Sequence, residues 1–173
     1  MSARLWAMSG LLVAIGLILQ VSLFDAFAWQ GVVPNLVLMV VVAGALSRGG
    51  QAGMVLGFTA GLLMDLAPPA DTVAGRWALA LLVAGYVAGR FRQDTPTGRP
   101  SVTAVVATVA TCSFVATSIF ALTGMILQDP AIGFGEVLRV IGIGLFWDVL
   151  LTPLFLPVLL TLYARADAEA RRA

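Results

Sequence analysis

Long apolar runs separated by short polar links are the feature that most constrains this sequence. Two of the runs, 102–127 and 137–163, are each longer than the roughly 20 residues that a helix needs to cross a bilayer. The chain of 173 residues is 60% hydrophobic and only 11% charged, whereas soluble domains are about a quarter charged. Lipid must therefore be the solvent for most of this surface, and the sequence predicts an all-α integral membrane protein.

Six such runs predict a bundle of six transmembrane helices. No link between them is long enough to fold alone, so residues 1–173 are expected to form a single domain. The first run has a basic residue before it and small residues after it, as a cleaved signal peptide has. Its length suits a retained helix better, and residues 1–28 are expected to stay in the protein. The predicted spans are 5–24, 32–46, 50–67, 74–89, 102–127 and 137–163.

The arginines predict the orientation of these spans. All ten basic residues are arginine, and an excess of positive charge in short loops marks the cytoplasmic side. With six spans, only Arg76 and Arg139 fall opposite the termini, so both termini are predicted to be cytoplasmic in a multi-pass protein of the cell membrane. The loop that contains Arg99 is either a topology anchor or a contact for anionic lipid or a cytoplasmic partner. The arginines on the side of the termini are Arg4, Arg48, Arg90, Arg92, Arg99, Arg165, Arg171 and Arg172.

Glycines recur every four residues in the third and fourth predicted spans. Four residues on a helix turn about 400°, so in the third span they form one slowly winding stripe, about 18 Å long, that ends on a carboxylate. Small residues at this spacing let helix backbones approach closely in lipid, either within the protein or against the transmembrane helix of a partner. The candidates for helix packing or a partner interface are Gly53, Gly57, Gly61, Asp65, Gly85 and Gly89.

Two aspartates and two prolines are the other candidates. Asp148 lies deep in an apolar run, where a charge costs about 3 kcal/mol on insertion scales. It is expected to face the bundle interior, as a structural hydrogen-bonding group or as part of a partner or ligand site. Asp65 is expected at the outer rim, where it either pins the adjacent loop or meets the partner, so the two carboxylates are not expected to form a catalytic pair. Pro153 and Pro157 are expected to kink the last helix.

Residues that commonly carry chemistry are scarce. The chain has no histidine and no lysine, and its single cysteine, Cys112, lies in an apolar run. The commonest general base and metal ligand is therefore missing, and a disulfide within one chain is excluded. The sequence predicts a protein that is not an enzyme, with no catalytic residue, no metal, no cofactor and no nucleic-acid partner.

Three segments resemble the family of the rod shape-determining protein MreD. They are Pro34-Asn35-Leu36 at the start of an apolar helix, GxxxGFxxGLLMDL from Gly53 to Leu66, and AGYVAGR from Ala84 to Arg90. The resemblance extends over most of the chain, and the second segment is its most specific part. The Ser/Thr-rich fifth span and the arginine-only basic residues depart from familiar members and resemble an actinobacterial or other high-GC type.

The resemblance implies a function that spacing alone does not. MreD-like proteins are membrane components of the machinery that elongates rod-shaped bacteria. They bind the membrane protein MreC and support lateral peptidoglycan synthesis with the elongation synthases. Their six-helix fold is similar to the substrate-binding subunits of energy-coupling-factor transporters. The expected function is therefore that of a non-enzymatic scaffold with an MreC-like partner, and no catalytic residue is carried over.

A small-molecule carrier is the alternative function. The chain would then be the substrate-binding subunit of a membrane transporter, with a ligand of vitamin type. Such a subunit needs polar groups that converge on a pocket at the outer face, and the candidates are Asp65, Thr72, Arg76 and Asp148.

Overall fold

The computed structural model describes residues 3–22, 28–67, 73–93, 101–127 and 134–170. Within these ranges the protein is built from six α-helices, and the only extended pairing is an isolated bridge between Trp29 and Val32. The predicted all-α class is therefore confirmed. Thr72, Arg99, Arg171 and Arg172 lie outside the described residues. The helices are α1 (Ala3–Ser22), α2 (Leu36–Arg48), α3 (Gly50–Leu66), α4 (Arg76–Gln93), α5 (Val102–Ile126) and α6 (Phe134–Ala170).

Three helices in the described part of the chain are long and apolar enough to cross a membrane by themselves, and they are α1, α5 and α6. The other three fall short for identifiable reasons. α2 has 13 residues and α3 has 17, while α4 carries three arginines in its 18 residues. The count of six spans therefore stays a prediction.

α2 is the core of the bundle. Every residue from Leu36 to Leu46 is buried, because α1, α3, α4 and α6 all pack on this helix. Its 13 residues rise only about 20 Å, less than the roughly 30 Å of a hydrocarbon core. Non-helical backbone at membrane depth is tolerated where protein covers it or where it lines a cavity. The non-helical residues 28–35 that lead into α2 are therefore expected to be covered by protein or to line a cavity.

α2 begins later than the sequence predicts. The expected span started at residue 32, with Pro34 in its first turn. The helix instead starts at Leu36, and Asn35 is its N-cap, with a side chain that accepts a hydrogen bond from the Leu38 N–H at 2.8 Å. This bond satisfies one of the free amides of the first turn, which favours asparagine at that position. α2 then ends at Arg48, and Gly49, with a φ of +89°, leads directly into α3.

α6 extends past the predicted end of the sixth span. It runs as one helix to Ala170, and its last turns are tied to the rest of the bundle. The Asp167 carboxylate pairs with Arg48 at 2.6 Å. One turn earlier, the Tyr163 hydroxyl donates to Ser9 Oγ at 3.1 Å. The end of α6 is thus attached to both α2 and α1.

Both prolines of α6 lie inside this helix. Pro153 and Pro157 are exposed on its outward side. Each lacks the N–H of a helical hydrogen bond. The predicted kink at these residues stays a prediction.

Candidate functional site

The glycine stripe of α3 lies directly against α4. A Cβ added to Gly57 would come 2.0 Å from the carbonyl oxygen of Leu81, and one added to Gly61 would come 2.3 Å from that of Trp77. The two helices run antiparallel, so moving four residues forward along α3 corresponds to moving four residues towards the start of α4. Since both close neighbours are backbone atoms, any side chain at these positions would force the helices apart.

The glycines of α4 complete the same contact. Gly53 and Gly85 face each other, since a Cβ on Gly53 would lie 2.3 Å from the Gly85 oxygen and a Cβ on Gly85 would lie 2.1 Å from the Gly53 oxygen. A Cβ on Gly89 would lie 2.3 Å from the nitrogen of Gly50. Backbones at this separation can form Cα–H···O contacts. The stripe is therefore covered by α4, and a partner helix would reach it only if α3 and α4 separated.

Asp65 lies one step further along the stripe and is 4% exposed. Its Oδ2 accepts hydrogen bonds from the N–H groups of Gly75 at 2.8 Å and Ala78 at 3.0 Å, and its Oδ1 accepts one from Trp77 at 3.1 Å. These amides belong to Gly75, directly before α4, and to the first turn of α4, so the carboxylate caps that helix from a neighbouring one. Of the two roles expected for Asp65, this geometry corresponds to pinning the adjacent segment.

The start of α4 is also attached to α5. The buried Arg76 donates from Nη2 to the Phe120 carbonyl oxygen at 2.9 Å. Its guanidinium lies 4.0 Å from the centre of the Phe120 ring, within the range of a cation–π contact. Trp77 stacks on the same ring at 4.4 Å. Gly75, Arg76 and Trp77 are thus each held by a contact with α3 or α5, and together these contacts fix where α4 begins.

Asp148 is 1% exposed and joins three elements. Its Oδ1 accepts from the backbone N–H of Asn35 at 2.8 Å, and its Oδ2 accepts from the Ser113 hydroxyl at 2.6 Å. A carboxylate of α6 is therefore attached to α5 and to the N-cap of α2, where the helix dipole favours negative charge. Asp65 and Asp148 hold the starts of different helices.

A cavity of about 190 Å³ lies beside Asp148. α1, the segment before α2, the start of α4, α5 and α6 all contribute to its wall. Its polar lining includes Gln20, Asn35 and Asp148. Gln20 is 9% exposed, and no donor among the described residues reaches its Oε1. Of the four polar candidates for a carrier, Asp148 is on this wall, whereas Asp65 and Arg76 are not among the lining residues.

Sequence reasoning did not single out three of these polar residues. The signal for the capping role of Asn35 was present, because asparagine directly before an apolar run is an N-cap signature. Ser113 is one of many hydroxyl residues in α5, and its bond to Asp148 spans 35 positions. Gln20 is one of a few polar residues in the first apolar run, and nothing in its local pattern indicates a site. Only the packing of the helices shows that these side chains converge.

A model of the family described as rod shape-determining protein MreD matches residues 2–165 of the chain. The chain belongs to the MreD family. No curated protein and no solved structure gives a significant match. MreD proteins have a role in rod shape determination as part of the MreBCD shape system, and they are a structural family not known as enzymes. MreD membership and the three long apolar helices together indicate a membrane location.

Proposed function

We propose that this MreD-family chain is a non-enzymatic, multi-pass scaffold of the cytoplasmic membrane, with both termini in the cytoplasm. It binds an MreC-like membrane protein and thereby supports lateral peptidoglycan synthesis by the elongation synthases. The observation that carries the proposal is the family match over residues 2–165. The likeness of the fold to the substrate-binding subunits of energy-coupling-factor transporters belongs to the same proposal.

The contacts inside the bundle support a scaffold because they fix its shape. Asp65 and Asp148 each attach the start of one helix to another helix. The glycine stripe holds α3 and α4 at a separation that larger residues would not permit. A protein that presents a constant surface to a partner needs rigid elements of this kind.

The partner's transmembrane helix is expected to bind an outward face of the bundle. The stripe glycines are buried between α3 and α4, whereas the other side of α3 carries large exposed apolar side chains. In lipid, such faces meet either acyl chains or another helix. The exposed apolar residues of α3 are Val55, Phe58, Leu62, Leu63 and Leu66.

Co-purification from detergent with the MreC-like protein of the same cell tests the proposal. The variant Gly57→Leu places a side chain against the Leu81 backbone, and Gly142→Leu is its matched control, because a Cβ at Gly142 meets no atom within 4 Å. We expect the wild type and Gly142→Leu to retain the partner and Gly57→Leu to lose it or fail to fold. A wild type that retains no partner would contradict the proposal. If Gly57→Leu retains the partner at wild-type yield, the glycine stripe has no role in assembly of the complex.

The cavity beside Asp148 is the observation that favours the alternative, a small-molecule binding subunit of a transporter. Mass spectrometry of the purified protein would test that function directly. A metabolite that stays bound through purification would support it. If a variant in which a larger side chain fills the cavity restored normal cell shape completely, that result would count against this function.

A further inference from the structure

We propose that the cavity beside Asp148 is a binding site for a small organic amine. The inference goes beyond the scaffold function and depends on four features of the cavity: its origin, its size, its polar groups and its aromatic wall. Each is independent of the family match.

The cavity originates from the shortness of α2. Its 13 residues rise about 20 Å, whereas the 25 residues of α5 rise about 38 Å. The non-helical segment 28–35 precedes α2, and Gly31, Val32 and Val33 of that segment line the cavity. The space is therefore built into the fold by a helix that starts late.

The size of the cavity selects a small ligand. An engineered apolar cavity of about 150 Å³ binds benzene, so about 190 Å³ accommodates a single ring or a short chain with a polar head. Drug-sized ligands occupy about 300 Å³ or more. The cavity therefore accommodates a small molecule or the head group of a lipid, and a larger molecule would extend beyond it.

Two groups on the wall, the Asp148 carboxylate and Gln20 Oε1, offer hydrogen-bond acceptors to a ligand. Each oxygen of Asp148 accepts one hydrogen bond from the protein and retains a further lone pair. The Oε1 of Gln20 is buried, and no described residue donates to it. Buried acceptors without a donor are unfavourable. A ligand that donates hydrogen bonds satisfies Gln20 Oε1, and a positive charge on the donor matches the carboxylate, whose oxygens retain lone pairs for it.

Apolar and aromatic side chains form most of the remaining wall. Trp77 and Phe120 line the cavity as a stacked pair, 4.4 Å between ring centres. The guanidinium of Arg76 already lies over the Phe120 ring. The ammonium group is therefore expected against Asp148 and Gln20, with the apolar part of the ligand against the rings. This orientation keeps the two positive charges apart.

Thermal unfolding of the purified protein in detergent, with benzylamine as the probe, tests the site. Benzyl alcohol and benzoate have the same ring without the positive charge. We expect benzylamine to raise the melting temperature and the other two compounds to have little effect. A shift that is equal for all three compounds, or absent with benzylamine, would overturn the proposal.

Two variants locate the effect. Gln20→Leu removes one acceptor and is expected to weaken benzylamine binding about tenfold. Gly144→Leu adds a side chain at a wall position where a Cβ would lie in ordinary contact with Thr117 at 3.7 Å and Val32 at 3.9 Å, and it should abolish the shift. Gly142→Leu, on an exposed side of the same helix, should retain it. Equal shifts in Gly144→Leu and the wild type would place the binding elsewhere and refute the site.

The ammonium group could come from a free amine or from a lipid head group, and lipid nanodiscs separate the two sources. If the wild type melts at a higher temperature in phosphatidylethanolamine than in phosphatidylcholine, and Gly144→Leu does not, the site binds the lipid head group. A benzylamine shift that is equal in both lipids would assign it to a free amine. The experiment needs no MreC-like partner, so its failure would leave the scaffold proposal intact.

Discussion

Gly53 and Gly85 meet backbone to backbone, and each occupies the space where the other's Cβ would lie. This reciprocal contact is one step of a series in which the stripe of α3 follows the backbone of α4 to its first turn. There Asp65 caps α4. The stripe and the carboxylate are therefore one structural feature, since both set the position of α4 relative to α3.

Gly57→Ala tests the closeness of this contact. The added methyl would lie 2.0 Å from a backbone oxygen, so the helices must separate, and we expect a loss of about 3 kcal/mol in the free energy of unfolding. Unfolding in mixed micelles with increasing dodecyl sulfate measures this change. Gly142→Ala, where the space is open, should leave stability unchanged or slightly raised. Equal stability of the two variants would show that α3 and α4 are not in close contact.

Asp65→Ala tests the cap on α4. It leaves the N–H groups of Gly75, Trp77 and Ala78 at the start of α4 without their acceptor, and we expect a loss of about 3 kcal/mol in stability. Asp65→Asn keeps one oxygen and should lose about 1 kcal/mol. Amide hydrogen exchange at the start of α4 should rise in the alanine variant and stay slow in the middle of α4. Unchanged exchange at Gly75 and Ala78 would contradict the capping role.

Asp148→Leu tests the junction of α6 with α2 and α5. It removes the acceptor of both the Asn35 N–H and the Ser113 hydroxyl, and we expect a loss of about 3 kcal/mol. The double variant with Ser113→Ala should lose less than the sum of the single variants, because one unpaired donor is removed. Strict additivity in this double-mutant cycle would show that Asp148 and Ser113 do not interact.

Gly49→Ala tests the turn between α2 and α3. The φ of +89° and ψ of 178° at this residue belong to a region that side-chain-bearing residues rarely adopt, so we expect a loss of about 2 kcal/mol. Gly135→Ala is the control, since Gly135 has open space and no positive φ. If both variants have the same stability, the turn has another conformation.

The sequence alone is enough to predict the helical class and to identify the glycines and the aspartate that form the stripe of α3. Composition and apolar runs indicate helices in lipid, and a spacing of four places glycines and Asp65 on one stripe whatever the stripe contacts. Spacing within one helix carries no information about its neighbour. The register of Gly53 with Gly85, which decides that the stripe faces α4, comes only from the packed structure.

The junction at Asp148 could be predicted only in part. Its depth in an apolar run implies that it must be buried and hydrogen-bonded. The partners come from Asn35 and Ser113, which are 113 and 35 positions away, and no local pattern connects them. The cavity was also beyond sequence reasoning, because it depends on the late start of α2. The expected start at residue 32 would have filled part of that space with helix.

Cell shape after depletion and rescue is the most direct test of the central claim that this chain supports rod shape as a scaffold. In a rod-shaped bacterium that depends on this chain, depletion should produce wider, rounded cells. The wild type and Gly142→Leu should restore normal cell width, and Gly57→Leu should not, with the membrane level of each variant measured by immunoblot. Cells that keep their normal width after complete depletion would contradict the account.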